Sequence, residues 1–120
     1  MRQNADFRYD LEVGQMYEKW LGDLLEGSTI EVKRDFRASQ TGKVFVEFFC
    51  RGKPSGISTT EAEFWAFILA GKTVVLLPTE TLKVLARNAY KKGHVVNGGD
   101  SDASRGVLID VERLVKQCLQ

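Results

Sequence analysis

The sequence predicts a single α/β domain over residues 1–120, with a central mixed β-sheet flanked by helices in the order α-β-β-α-β-α-β-α. Three observations support this prediction. The chain has 120 residues, which is enough for one domain with a substantial core. Its 43% hydrophobic and 28% charged residues are typical of a folded globular protein. Segments with the apolar spacing of helices are interspersed with segments that alternate as strands do.

The amino-terminal part of the chain predicts one helix and two strands. Apolar residues repeat at three- and four-residue steps over residues 11–25, which predicts an amphipathic helix that ends near Gly27. Apolar and charged residues alternate over residues 29–35, as expected for a half-buried strand. The polar segment 36–43 predicts a turn, and the β-rich run 44–50 predicts a central strand.

The rest of the chain predicts three helices and two strands. Thr60 and Glu63 have the spacing of a capping box, so we expect a short buried helix over residues 60–69. The remaining elements follow in chain order: a strand at residues 73–77, an amphipathic helix at 79–92, a Gly-rich loop at 97–100, a strand at 107–109 and a terminal helix. Trp20 and Trp65 lie in apolar segments, and we expect both in the core.

Charge and cysteine spacing restrict the class of protein. The net charge is only +1, which excludes a histone-like basic chain, so any nucleic-acid contact must use locally concentrated charge. Cys50 and Cys118 are far apart, which argues against a disulfide framework or a zinc ribbon and predicts a reducing, cytoplasmic location. We expect no signal peptide and no membrane partner, because no apolar run approaches the ~18 residues of a membrane span.

Glu47 is the most informative single residue of the sequence. It is the only charged residue in the apolar and aromatic run 44–50. Burying an unpaired carboxylate costs several kcal/mol, so Glu47 must have a partner. That partner is a cation, a set of hydrogen-bond donors or a metal ion.

The preceding strand offers charged neighbours for Glu47. Glu31, Lys33 and Asp35 are two residues apart, so their side chains leave the same face of a strand. If the two strands pair as a hairpin, this face lies beside Glu47. Clustered carboxylates with a lysine nearby suit a hard divalent cation such as Mg²⁺. Such a cation polarises a phosphodiester and lowers the pKa of a bound water.

These residues resemble the core of the PD-(D/E)XK nucleases, a superfamily that includes resolvases of Holliday junctions. The resemblance rests on Glu18 in the first helix, Asp35 after the first strand and Glu47 on the next strand. The segments Glu-Val-Lys-Arg-Asp at 31–35 and Gly-Lys-Pro-Ser-Gly-Ile at 52–57 are similar to small nuclease-like proteins of phages and bacteria.

The resemblance implies a restriction-endonuclease-like core that binds Mg²⁺ or Mn²⁺ through Asp35, Glu47 and Glu18. The superfamily also has a lysine two residues after the second-strand acid, where this chain has Phe49. Lys33 would then replace that lysine and orient the attacking water. The literal Glu-x-Lys motif is formed by Glu31 and Lys33, but its use requires an acid on a preceding strand.

Several basic and hydroxyl residues are candidates for DNA contacts. Lys83, Arg87 and Lys91 are four residues apart and form one stripe on the helix predicted at 79–92. The loop at 51–56 offers a further set of candidates, namely Arg51, Lys53 and Ser55.

The sequence therefore predicts a Mg²⁺-dependent DNA endonuclease, with Lys33, Asp35, Glu47 and Glu18 in its catalytic site. A domain of this size covers little DNA, so we expect a homodimer. One alternative is a non-catalytic DNA- or protein-binding module on the same fold, which the missing lysine at Phe49 favours. A second alternative is a structural protein in which Glu47 pairs with Lys33.

Overall fold

The strands form two sheets flanked by helices in a single small α/β domain. The computed structural model describes residues 4–99 and 102–116, with side chains described at residue 8 and from residue 10 onward in these ranges. Asp100 of the predicted Gly-rich loop and Cys118 lie outside the described residues.

The helices are α1 (Asn4–Gly27), α2 (Ala38–Thr41), α3 (Thr79–Lys91) and α4 (Val111–Lys116). The strands are β1 (Ile30–Arg34), β2 (Lys43–Cys50), β3 (Lys53–Pro54), β4 (Phe64–Ile68), β5 (Val74–Pro78), β6 (Val95–Gly98) and β7 (Ser104–Asp110). Two 3₁₀ turns, Gly56–Ser58 and Ala70–Lys72, complete the order. The structure confirms the predicted helices at 11–25 and 79–92, the strands at 29–35, 44–50, 73–77 and 107–109, and the terminal helix.

The first two long strands do not pair as a hairpin. β1 pairs in parallel with β4, and β4 pairs antiparallel with β5, which makes a three-stranded mixed sheet. β2 belongs to a second, antiparallel sheet in the order β3-β2-β7-β6. The chain changes sheets because residues between β1 and β2 form the helical turn α2 instead of a tight hairpin turn.

The predicted helix at residues 60–69 is wrong, because Phe64–Ile68 is strand β4. The hydroxyl of Thr60 accepts the N–H of Ala62 at 3.2 Å, so it closes a turn instead of capping a helix. A short run that is apolar on every side fits a buried strand as well as a buried helix, and its aromatic residues favour the strand. The observed order is therefore α-β-α-β-β-β-β-α-β-β-α.

The core lies where α3 and α4 pack against the strands. Its fully buried side chains include Val44, Val46, Trp65, Phe67, Leu77, Leu82, Val107 and Leu114. Trp65 is 1% exposed, which confirms its predicted place in the core. Trp20 is 53% exposed, so its predicted burial is wrong.

Helix α1 extends away from this core. Its last turns approach β4, where Leu24 is buried near Phe64. The molecule is elongated as a result, with extents of 60 × 30 × 29 Å. In the described part of the chain, no helix is both long and apolar enough to cross a membrane.

Candidate functional site

A polar cavity of about 290 Å³ lies between β1, β2 and the segment that connects β3 to β4. Its lining residues are Glu31, Lys33, Glu47, Gly56, Thr59, Thr60, Glu61, Ala62 and Trp65. The two sheets contribute different residues to it. β1 supplies Glu31 and Lys33, which are two residues apart and therefore share a face, and β2 supplies Glu47.

Glu47 has the hydrogen-bond donors that its position in an apolar strand requires. The hydroxyl of Ser104 donates to its Oε1 at 2.6 Å, and the hydroxyl of Ser55 donates to its Oε2 at 3.0 Å. Among the described residues, no lysine or arginine forms an ion pair with Glu47. Two serine hydroxyls therefore stabilise the half-buried carboxylate.

Strand β2 contains a β-bulge next to Glu47. Glu47 lies opposite Gly106 on β7 and Phe49 lies opposite Arg105, so Phe48 is an extra residue in β2. Bulges of this kind re-aim neighbouring side chains and are common next to active sites. This irregularity explains how Ser104, which pairs with Cys50, can reach back to Glu47.

At Gly56 the backbone that lines the polar cavity packs directly against β2. Its φ of +54° is the left-handed region that glycine tolerates, and a Cβ there would lie 2.2 Å from the carbonyl oxygen of Glu47. The adjacent Ser55 donates its N–H to the carbonyl of Phe48 at 3.0 Å. The Pro-Ser-Gly sequence therefore fixes the Ser55 hydroxyl beside the Glu47 carboxylate.

Lys33 is held on the other side of the polar cavity. Its Nζ lies 3.1 Å from Oε1 of Glu31 and 5.6 Å from the ring centroid of Trp65. Both charged side chains of this pair remain about half exposed. The ion pair that the structural alternative expected between Lys33 and Glu47 is therefore made with Glu31 instead.

Trp65 adds an unused donor to the same region. Its indole Nε1–H is buried and has no hydrogen-bond acceptor among the described residues. Buried donors in folded proteins nearly always have an acceptor, which can be a water or a ligand. An oxygen atom of a water or of a bound ligand would accept the N–H of Trp65.

Asp35 has a structural role, because both oxygens of its carboxylate accept backbone N–H groups. Its Oδ1 accepts the N–H of Ala38 at 3.2 Å, and its Oδ2 accepts the N–H of Phe45 at 3.0 Å. The carboxylate thus joins the start of α2 to the start of β2. Asp35 lines a different cavity from Glu47.

The other predicted metal ligand, Glu18, is also separate from this region. It lies on the exposed part of α1 and does not line the polar cavity. Glu31, and not Asp35, lines the polar cavity together with Glu47. The sequence feature that indicated Glu31 was its literal Glu-x-Lys spacing with Lys33.

The predicted DNA-contact residues are distributed over three places. Arg51 is exposed in the β2–β3 turn, Lys53 is exposed at the start of β3, and Ser55 binds Glu47. Lys83 and Arg87 line an apolar cleft of about 310 Å³ together with the edge-to-face pair Phe48 and Tyr90. Lys91 is exposed on α3 and does not line that cleft.

A larger groove of about 830 Å³, here called the basic groove, is lined by residues of β1, the β1–β2 segment, β2, β6 and β7. Arg34, Arg37 and Lys43 line it together with Asp35 and Phe45. Arg34 stacks on Phe36 at 3.9 Å, and Lys43 pairs with Asp110 at 3.2 Å. The charge pattern of the sequence did not indicate this groove, because its cations come from three separate segments, namely β1, the β1–β2 segment and β2.

The oxygen donors of the polar cavity suit a hard divalent cation. Glu31 and Glu47 supply carboxylates, and Thr59 and Thr60 supply hydroxyls. Proteins commonly hold Mg²⁺ through one or two carboxylates, with waters and substrate phosphates as further ligands. Within residues 4–99 and 102–116, no three His, Cys, Asp or Glu residues are grouped to hold a metal ion. A cation here would therefore depend on two carboxylates and the substrate.

Comparison of the chain with protein families, with characterised proteins and with solved structures gave no significant match.

Proposed function

We propose that the chain is a Mg²⁺-dependent DNA endonuclease of the PD-(D/E)XK type, whose site is the polar cavity at Glu31, Lys33 and Glu47. One observation carries the proposal. Two carboxylates and a lysine from different sheets meet in one cavity, and Glu31 and Lys33 have the Glu-x-Lys spacing of that superfamily. The second acid comes from β2, a following strand, instead of the preceding strand that the sequence analysis required.

The proposal replaces Asp35 by Glu31 as the partner of Glu47. Asp35 does not line the polar cavity, and its carboxylate accepts two backbone N–H groups. The carboxylate of Glu31 is about half exposed and faces the polar cavity. Glu31 is therefore the better placed ligand.

The residues of the cavity have distinct roles in this proposal. Glu31 and Glu47 would hold the cation, with Ser55 and Ser104 fixing the orientation of Glu47. The bound cation would supply Lewis-acid activation of the phosphodiester and of a water. Lys33 would place its ammonium beside the attacking water and stabilise the negative charge that develops on the phosphate.

In this proposal the basic groove binds the DNA backbone. Arg34 and Arg37 lie just beyond Lys33 in the chain, and Lys43 lies before Glu47 on β2. Cations that follow an active-site cavity bind successive phosphates and position the strand without reading its sequence. The groove thus supports nucleic acid as the substrate class.

A cleavage assay with paired variants tests the proposal. Labelled duplex, nicked and four-way-junction DNA are incubated with the purified protein in Mg²⁺ or Mn²⁺. Glu31→Gln, Lys33→Met and Glu47→Gln should each lower the cleavage rate by about 10²-fold or more, as expected for groups that act in the transition state. Glu63→Gln removes an exposed carboxylate outside the cavity and serves as the control. Wild-type cleavage by both glutamine variants of the cavity would refute the assignment.

A non-catalytic DNA-binding module is the second candidate. The absence of a three-acid metal group among the described residues favours it. In that case the protein binds DNA through the basic groove in the presence of Mg²⁺ or Mn²⁺ but cuts no substrate. Binding would then survive Lys33→Met unchanged and would be weakened by loss of Arg34 and Arg37.

A further inference from the structure

The apolar cleft beside α3 is a cavity of its own, separate from the polar cavity. Its volume of about 310 Å³ lies at the lower end of the range of small-molecule sites and equals the space of about ten waters at ~30 Å³ each. Phe48 lines the cleft, whereas the preceding residue Glu47 lines the polar cavity. In the same way, Ile57 lines the cleft and Gly56 lines the polar cavity. The two cavities therefore have different lining residues.

The walls of the apolar cleft come from one face of α3 and from the β-bulge of β2. Phe48, the extra residue of the bulge, contacts Tyr90 edge-to-face, with ring centroids 5.6 Å apart. Tyr90 is 58% exposed, so part of its ring is free for a further contact. Val107 and Ala86 are buried. Because Ala86 contributes only a methyl group, it leaves room for a ligand among these larger side chains.

Two cations line the apolar cleft, and no Asp or Glu among the described residues does. Lys83 and Arg87 are four residues apart and therefore lie on one face of α3. The Nζ of Lys83 is 3.7 Å from Oε1 of Glu80, whose side chain is 85% exposed, so this ion pair is weak. Arg87 forms no ion pair within the described part of the chain. The cleft therefore carries positive charge that a bound anion can neutralise.

The lining of the apolar cleft favours a small apolar ring that carries a negative charge. A flat ring can contact both aromatic side chains in the stacked or edge-to-face geometries that such rings prefer. A nucleobase fits less well, because its polar edges need several hydrogen-bond partners. The uncharged polar groups of the lining are the hydroxyls of Tyr90 and Ser58, and Ser58 already donates to the carbonyl of Phe48 at 2.9 Å. A protein partner buries about 800 Å² on each side, far more than a cleft of this size offers.

We propose that the apolar cleft binds a small aromatic carboxylate, with its ring against Phe48 and Tyr90 and its carboxylate paired with Lys83 and Arg87. The planar guanidinium of Arg87 can donate to both oxygens of a carboxylate, and the ammonium of Lys83 adds a second positive charge. The apolar stems of both cations can cover the edge of the bound ring. This inference does not rest on the proposed function, because no residue of the polar cavity that acts there takes part in it.

Isothermal titration calorimetry with two ligands of the same shape tests the proposal. Naphthalene carboxylate carries the negative charge, and naphthalene carboxamide has the same rings without it. The carboxylate should bind the wild-type protein with a Kd below about 1 mM, the value expected from the modest efficiency of ordinary ligands. The carboxamide should bind at least about fivefold more weakly, because it forms no ion pairs with the two cations. Changes in the backbone NMR signals of Phe48, Ile57 and Tyr90 on titration should locate the carboxylate in the cleft.

Three variants separate the contribution of the charges from that of the apolar walls. Lys83→Gln/Arg87→Gln should weaken binding of the carboxylate to the level of the carboxamide and leave carboxamide binding unchanged. Ala86→Leu fills the cleft and should abolish binding of both ligands. Lys72→Gln/Lys92→Gln removes the same charge from two exposed positions that do not line the cleft, and it should bind both ligands like the wild type. Thermal unfolding of each variant confirms that it is folded.

Several results would overturn the proposal. They are no binding of naphthalene carboxylate by the wild-type protein, equal affinity for the carboxamide, and equal losses of affinity in the two double variants. Tighter binding of octanoate would show that the cleft takes an alkyl chain instead of a ring. Tighter binding of the tripeptide Gly-Gly-Phe would assign the cleft to the carboxyl end of a protein, and the small-molecule assignment would then be wrong.

Discussion

Ser104 on β7 donates a 2.6 Å hydrogen bond to the carboxylate of Glu47 on the neighbouring strand β2. Ser104 is only 7% exposed, and the other contact of its hydroxyl is a longer one of 3.5 Å to the Sγ of Cys50, a weak acceptor, so the hydroxyl relies mainly on Glu47. The carboxylate depends equally on its donors, because it lies in an otherwise apolar strand. The two residues form a small polar unit within the sheet, which Ser55 completes from the opposite side.

Removing the Glu47 carboxylate should therefore lower stability even without any ligand. Glu47→Ala leaves the hydroxyls of Ser55 and Ser104 without their acceptor, and we expect a loss of about 1–3 kcal/mol in the free energy of unfolding. Glu47→Gln keeps an acceptor oxygen and should lose less. Urea denaturation measures both. The control Glu112→Ala removes an exposed pair with Lys116 and should cost at most about 0.5 kcal/mol. Equal stability of Glu47→Ala and wild type would contradict the structural role.

Asp35 should affect folding and not cation binding. Asp35→Ala orphans the N–H groups of Ala38 and Phe45, so we expect a loss of about 1–3 kcal/mol in stability. Asp23→Ala is the matched control, because it removes only an exposed pair with Lys19. Calorimetric titration of the folded protein with Mn²⁺ should give the wild-type affinity for Asp35→Ala and a weaker one for Glu31→Gln. Weaker Mn²⁺ binding by Asp35→Ala, together with wild-type binding by Glu31→Gln, would identify Asp35 as the metal ligand instead.

Two glycines with similar backbone angles should respond very differently to alanine. Gly56 and Gly42 have φ values of +54° and +72°, so alanine strains both, at a cost of roughly 1 kcal/mol. A Cβ at Gly42 meets nothing within 4 Å, whereas one at Gly56 strikes the carbonyl oxygen of Glu47 at 2.2 Å. Gly56→Ala should therefore lose at least about 2 kcal/mol more than Gly42→Ala, or fail to fold. Equal losses would show that the wall of the polar cavity can move.

The basic groove should account for more of the salt dependence of DNA binding than the α3 stripe does. The double variant Arg34→Ala/Arg37→Ala removes two phosphate contacts in the proposed path, so the slope of log K against log salt should fall by about 2. Lys83→Ala/Arg87→Ala removes the same charge from the apolar cleft and should change the slope less. Fluorescence anisotropy at several salt concentrations measures both. A larger effect of the α3 pair would move the DNA path to that helix.

The sequence predicted the individual helices and strands better than it predicted which strands pair with each other. The spacing of apolar residues correctly identified α1, β1, β2 and α3, because such spacing depends only on neighbours along the chain. It could not distinguish the buried strand β4 from a buried helix. It also could not show that β1 pairs with β4, since that choice depends on residues far apart in the chain.

The candidate site was predicted in part for a similar reason. The need of Glu47 for a partner followed from its apolar surroundings, and the structure supplies Ser55 and Ser104. The shared face of Glu31, Lys33 and Asp35 was only partly correct. β1 ends at Arg34, so Asp35 no longer follows the two-residue alternation and turns to the backbone of the next segment.

The parallel pairing of β1 with β4 has a consequence for the growing polypeptide on the ribosome. Ile30 pairs with Phe64, so β1 is synthesised well before its only neighbour in the sheet exists. During that interval its backbone N–H and C=O groups are an open edge that other chains can join. Two of the three residues of the proposed site, Glu31 and Lys33, lie on this strand. Nascent chains that stop before Phe64 should therefore be the aggregation-prone species and the ones that recruit chaperones.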